Sequence, residues 1–525
     1  MQQNRDGEPK SFKQLGHFSI LISSFLLTLP LLGAGSFENF KRTQAESFSK
    51  YKDERDNAFN KHLKAQWEAY NVYKSVPLYE KPKPKSVPDA ILTRPKSVGP
   101  KINIEIKEVK PHIVKHPQDF VVYKEEEKEQ DKQEPKIIIK EKEVELVLPK
   151  EEIIKPEEQE IVKKDINFDF FGTTLAFDIE KEIKNARFYP QNKDGILSFF
   201  NNCASSDYDS LVKEIKQVSD GMNLNDWGIY LLVSEISKQV HTNKDDANLL
   251  SWFIFNKLGY AVKVGLANNH IILMHYSKKI IYATPNYSFD NKKYYVVSNY
   301  AKGSVGRLYS YKQDYPDATK PLDLALNNLP NFNENLKSKT LSFEKFSKNY
   351  TLSFEYNQNL IDFMATYPQA DYETFFNAPL DEITYASIAK DIKKYVDGMS
   401  ASDAMNFVLH MVQKSFIYET DEEQFSREKV MFAAETLYYD KSDCEDRATL
   451  YSYLVKELFG VSVLGIKYKD HMATALYVPM TGDSIKANNK KYIVADPTYI
   501  NSNIGQSMPK YKSINPESFV VVKRD

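Results

Sequence analysis

The chain has 525 residues, 42% of them hydrophobic and 13% aromatic, enough for several domains at about 150 residues each and for at least one large core. Its 70 basic and 72 acidic side chains nearly cancel, which excludes the basic excess of a chain-wide nucleic-acid footprint, and no nucleic-acid partner is expected. Two cysteines, Cys203 and Cys444, exclude a disulfide scaffold and Cys-rich metal sites, and no GxxxxGK[ST] phosphate loop is present.

Residues 1–13 are polar, with Arg5, Lys10 and Lys13. An apolar run from Phe18 to Leu32 follows, then Gly33, Ala34, Gly35 and Ser36. A basic lead, a short apolar stretch and a small-residue exit predict a signal peptide over 1–35. The run is short for the ~20 residues of a membrane span, and Pro30 breaks it. The expected location is therefore exported, periplasmic or associated with the cell envelope, with an uncleaved N-terminal anchor as the alternative.

From Phe37 to Tyr70 aromatic residues recur mostly at three- and four-residue steps without Pro or Gly. This predicts an amphipathic helix over 36–73, suited to docking or self-association. Its spacing faintly resembles a helical segment found near membrane-bound lytic murein transglycosylases, which implies an envelope setting. Residues 74–165 carry eight prolines in their first part and mixed Lys and Glu from Lys124 to Lys164. That composition predicts a disordered, charged linker that acts as a spacer.

The rest of the chain repeats itself. Leu175-Ala-Phe177 matches Leu352-Ser-Phe354, Phe199-Phe-Asn201 matches Phe375-Phe-Asn377, and Asp220-Gly-Met222 matches Asp397-Gly-Met399. Further on, the Asp246–Leu250 segment lies over Asp446–Leu450, and Ala283, Pro285 and Tyr287 lie over Ala495, Pro497 and Tyr499. Matches in fixed order with two shifts of offset predict tandem domains. The second copy gains chain between Tyr418 and Cys444 and again between His471 and Tyr492. The expected division is a first domain over 166–302, a connector over 303–345 and a second domain over 346–525. Each copy reads as α+β, with helical patterns followed by strand patterns, so helices packed on one antiparallel sheet are expected.

Three residues of the second copy suggest chemistry. Cys444 stands where a helix begins, where the dipole and exposed N–H groups favour thiolate and can steady an oxyanion. His471 stands at the start of a strand and Asp496 at the end of the next, and neighbouring strands bring such side chains together. A thiol needs a base, and the base needs an acceptor to fix its tautomer. A zinc site from Cys, His and Asp lacks a fourth ligand at metal spacing, so no metal or other cofactor is expected.

The DCED of Asp443–Asp446, the DHMAT of Asp470–Thr474 and the VADPTY of Val494–Tyr499 resemble the transglutaminase-like superfamily of papain-like cysteine enzymes. The resemblance implies Cys444 as nucleophile, His471 as general base and acid, and Asp496 as orienting carboxylate. Gln413 corresponds to a glutamine that many members carry near the oxyanion site. Ser442 stands where the family often has Gly. In the first copy Lys244, Thr284 and Ile236 lie over Cys444, Asp496 and Gln413, and His270 falls one residue out of register with His471, so a degenerate domain is expected. The expected function is a peptidase or amidase acting on an envelope protein or peptide, with peptidoglycan-associated substrates in view. Protein cross-linking and a non-catalytic scaffold are the alternatives.

Overall fold

The computed structural model describes residues 34–73, 75–79, 81–106, 164–299 and 305–523. The expected signal peptide lies almost wholly outside these residues, as does the linker from 107 to 163. Among the described residues no helix is long and apolar enough to cross a membrane. The chain divides into two compact units, Met1–Ala58 and Phe59–Asp525.

Helix α1 runs Ala34–Lys64 and enters the second unit only with its final residues. Lys61, His62 and Lys64 in its last turn complement the negative end of the helix dipole. The helix stops short of the expected Tyr73. Trp67 Nε1 donates to the Leu63 carbonyl at 3.1 Å, and Glu68–Tyr70 becomes strand β1 at a sheet edge. Three- and four-residue aromatic spacing did not reveal this, because Tyr70 finds Phe289, with ring centroids 4.2 Å apart, from an extended backbone.

The first half then builds hairpin β2 (Ile166–Phe170) and β3 (Thr173–Phe177), followed by helices α2 (Lys181–Asn185), α3 (Lys193–Ala204), α4 (Tyr208–Gly221), α5 (Asp226–Val240) and α6 (Lys244–Lys257). Strands β4 (Val262–Ala267), β5 (His270–Tyr276), β6 (Asn286–Phe289), β7 (Lys292–Tyr295) and β8 (Leu308–Ser310) form an antiparallel sheet with β1.

The second half repeats the sequence of events. Hairpin β9 (Leu336–Lys345) and β10 (Lys348–Asn357) precedes α7 (Gln358–Ala365), α8 (Tyr372–Phe376), α9 (Glu382–Val396) and α10 (Ala401–Lys414). A further stretch holds β11 (Ile417–Tyr418), α11 (Asp421–Phe425), α12 (Ala433–Tyr438) and β12 (Lys441–Ser442), and then comes α13 (Cys444–Phe459). Strands β13 (Val463–Lys467), β14 (Met472–Leu476), β15 (Ser484–Ala487), β16 (Lys490–Ala495) and β17 (Ser518–Val521) close the second antiparallel sheet.

The fold is thus α+β, with mixed helices and antiparallel sheets. The sheet orders β8-β4-β5-β7-β6 and β17-β13-β14-β16-β15 are the same. Glycine marks the same place in both. Gly265 faces Ser310 and Ile272, and Gly465 faces Val520 and Thr474. A Cβ on Gly265 would stand 2.7 Å from Leu308, and one on Gly465 3.0 Å from both Phe376 and Val520. Helices α6 and α13 are the central helices of the two halves; α13 is buried from Cys444 to Val455 and packs against α10, α12 and the sheet.

Topology corrects several expected boundaries. The connector over 303–345 is largely fold: β8 completes the first sheet and β9 opens the second half's hairpin. By strand order the counterpart of β16 is β7, so Thr284, ahead of β6, is not the equivalent of Asp496. The later extra chain of the second half therefore follows β16, in 496–517, and does not lie between His471 and Tyr492. The Ala-x-Pro-x-Tyr match is a local coincidence. The extra chain before Cys444 stands where expected.

The linker is corrected in its first part. Residues 75–79 and 81–106 form a strap laid on the folded unit: Leu78, Tyr79, Lys83 and Ile104 are buried. Its prolines withhold backbone donors and keep it out of a sheet, and side chains supply most of its anchorage.

Candidate active site

Helix α13 begins at Cys444 because Asp443 leaves the helix in an extended conformation and Asp446 accepts the Asp443 N–H at 3.1 Å. The other Asp446 oxygen accepts the Met431 N–H at 2.8 Å, tying the helix start to the preceding loop. Gly460, at φ +61°, ends the helix in the left-handed region.

His471 closes a tight turn whose Tyr468 N–H donates to the His471 carbonyl at 2.8 Å, and β14 starts at the next residue. Strand β16 pairs with β14 with Ala495 opposite Thr474, so Asp496 leaves the sheet beside His471. The imidazole Nε2 lies 2.9 Å from Asp496 Oδ2, and both side chains are buried. Asp496 is held from its other oxygen by the N–H groups of Thr498 at 2.9 Å and Tyr499 at 3.2 Å. Tyr511 stacks on the imidazole, centroids 4.7 Å apart and planes 18° apart. With Nε2–H assigned to Asp496, Nδ1 carries the lone pair, and it has no hydrogen-bond partner among the described residues.

Cys444 is fully buried, and its sulfhydryl donates to Glu445 Oε2 at 3.1 Å. The same oxygen accepts from the Tyr79 hydroxyl at 3.1 Å. Burial pushes the thiol well up, and Glu445 and Asp443 push it further, against the opposing effect of Lys83. The expected lowering by the helix terminus is therefore overturned: the loss of water and two neighbouring acids outweigh a half-charge at the helix end. The Tyr511 hydroxyl donates to Asp470 Oδ1 at 3.1 Å, and burial and Asp470 push its pKa up.

Lys83 lies at the centre of the acidic groups. Its Nζ is 2.9 Å from Asp421, 3.0 Å from Glu428 and 2.5 Å from Glu445, and it also pairs with Asp443. Burial alone would push the ammonium down, but these carboxylates carry its pKa well above the usual value. Burial in turn lifts Glu428 to about 7 despite Lys83. Glu445 is the exception: Lys83, with hydrogen bonds from Asp443 and Cys444, outweighs burial and holds it below the usual range.

Gln413 is buried, and its Nε2 donates to the Asp496 carbonyl at 3.0 Å and to Ser502, carbonyl and hydroxyl, at 3.2 and 3.0 Å. Its donor is thus committed to the loop after Asp496, as a support, and is not offered to an oxyanion. Arg447 is also buried, one turn into α13, where it donates to Ser442 Oγ and to the carbonyls of Gln413 and Phe416. Sequence reasoning missed Tyr79, Lys83, Asp421, Glu428 and Tyr511. The available signal was the run Asp443, Glu445, Asp446 around a buried cysteine, which needs a cation from elsewhere.

In the first half Lys244 opens α6, and His270 pairs with Asp245 at 3.0 Å but is largely exposed. Ile236 is buried within α5, and Thr284 donates to the Tyr282 carbonyl. Cys203 is buried in α3, and both cysteines are free thiols. Comparison with protein-family models, with curated proteins and with solved structures returned no match.

Proposed function

We propose that the second half is a transglutaminase-like cysteine acyl-transfer domain and the first half its non-catalytic sibling, in an exported, envelope-associated protein. The observation that carries this reading is the buried His471–Asp496 pair, which leaves Nδ1 as an unpartnered base, in the same half whose central helix starts at Cys444. In the reaction Nδ1 takes the Cys444 proton and the sulfur attacks an amide carbonyl. The imidazolium then protonates the leaving amine, and a thioester remains on Cys444. Asp496 orients the ring and steadies its positive charge. Water resolves the thioester to a carboxylic acid in a peptidase or amidase acting on an envelope protein or peptide. An amine would resolve it to a new amide, which is the cross-linking alternative, while a binding scaffold would do neither.

The test compares wild type with Cys444→Ala on envelope peptides, including peptidoglycan stem peptides, by mass detection of products. Products from wild type and none from the variant are expected. Equal turnover by both would remove the hydrolase reading.

A further inference from the structure

A strap of this chain crosses the start of α13. It leaves the first half where Ala283 N–H donates to the Val76 carbonyl at 3.0 Å, and it crosses the start of α13 with Tyr79 and Lys83. Tyr418 then donates to the Pro84 carbonyl at 2.7 Å, and Ala90 N–H to Ile500 at 2.8 Å. Asn503 Nδ2 holds the Thr93 carbonyl at 2.9 Å, so the strap continues along the loop that follows Asp496. Prolines at 77, 82, 84, 88, 95 and 100 keep it extended, as a bound peptide is.

Lys83 enters a pocket built for it. Its side chain is 1% exposed, and four carboxylates face its ammonium. Asp421 and Glu428 come from the stretch between α10 and α13. The first half has no such stretch, since α5 ends at Val240 and α6 starts at Lys244. The pocket therefore belongs to the half with the cysteine. Glu445 joins pocket and sulfur: one oxygen takes the ammonium, and the other takes the Tyr79 hydroxyl and the Cys444 sulfhydryl. While the strap is in place the sulfhydryl donates to Glu445 and Nδ1 of His471 stays unpartnered.

Given the Cys444 nucleophile proposed above, the geometry points to a subsite beside it for the ammonium of a lysine in an extended peptide substrate, filled here by the chain's own Lys83, so that residues 75–106 hold the site closed. The pocket recognises and does not supply an acceptor, because an ammonium ringed by carboxylates has no lone pair to attack a thioester. A tethered strap competes with an untethered peptide, so turnover of such a peptide by the wild type is slow and rises once the strap is weakened.

The test measures iodoacetamide alkylation of Cys444 in the full chain by peptide mass mapping, with Cys203 as internal reference. Lys83→Gln should raise the Cys444 rate at least about tenfold and leave Cys203 unchanged. A synthetic peptide of residues 75–93 should restore protection to the variant, and the same peptide with norleucine for Lys83 should need at least about tenfold more. An unchanged Cys444 rate in a folded variant overturns the closure, and equal protection by both peptides overturns the ammonium subsite. Should Lys83→Gln fail to fold, hydrogen exchange on wild type decides. Strap amides exchanging faster than those of Leu450–Val455 support a releasable strap, and equal protection overturns it. Adding His471→Ala to Lys83→Gln separates the two levels. Alkylation that rises on release but ignores His471 ends the acyl-transfer reading and leaves the strap standing.

Discussion

At the scale of single residues, His471 keeps one nitrogen open because Asp496 takes the other, and Asp496 in turn is fixed by two backbone N–H groups. Asp496→Asn keeps the shape but offers an amide in place of an anion, so the ring loses its preferred tautomer and the support for its positive charge. Under the proposed acyl transfer, turnover should fall by about 10²–10⁴-fold, as for loss of a positioned proton carrier, with the thermal midpoint little changed; kinetics and calorimetry on the same sample check both. His275 has no such partner. Burial pushes His275 to about 3, and both its ring nitrogens lack hydrogen bonds among the described residues. Its folded value lies below the unfolded one of about 6.5, so its contribution is complete above pH 6.5 and is lost as pH falls towards 3. His275→Phe should therefore gain on wild type as pH falls from 6.5 to 5, by up to about 1.4 kcal/mol per pH unit, in urea midpoints at several pH values.

At the scale of elements, the end of α1 is bound to the first half by one ring. Phe59 is fully buried and meets Phe200, Trp252, Tyr311 and Tyr315 at centroid distances of 5.2 to 5.9 Å. Phe59→Ala should cost about 3–5 kcal/mol in chemical denaturation, the usual loss for a large aromatic in a core. In the second sheet Gly465 admits no side chain without displacing Phe376 of α8 or Val520 of β17. Gly465→Ala should cost about 1–3 kcal/mol by overpacking and leave the thiol's alkylation rate unchanged, since the strained contact lies at β17 and α8 and not at Cys444. The order of elements was legible where pattern and length agree, as in α10, α13, β14 and β16. The three-residue strands β1 and β8 were not, because each owes its existence to pairing partners far along the chain.

At the scale of the whole molecule, sequence alone determined the α+β character, and it pointed to the internal repeat and to Cys444, His471 and Asp496 as candidates, because repeated motifs and residues at element ends are local properties. His471 and Asp496 are indeed brought together, while Gln413 turned out to serve the loop after Asp496. Composition read the strap as a spacer, since an extended Pro- and Lys-rich segment has no core of its own. Only the tertiary structure decided that the segment lies across the start of α13, that Lys83 meets acids more than 330 positions away, and that the Cys444 sulfhydryl donates to Glu445. The reason is physical: a buried ammonium and its carboxylates are stable only in each other's company, and which of them meet is set by the folded path of the chain.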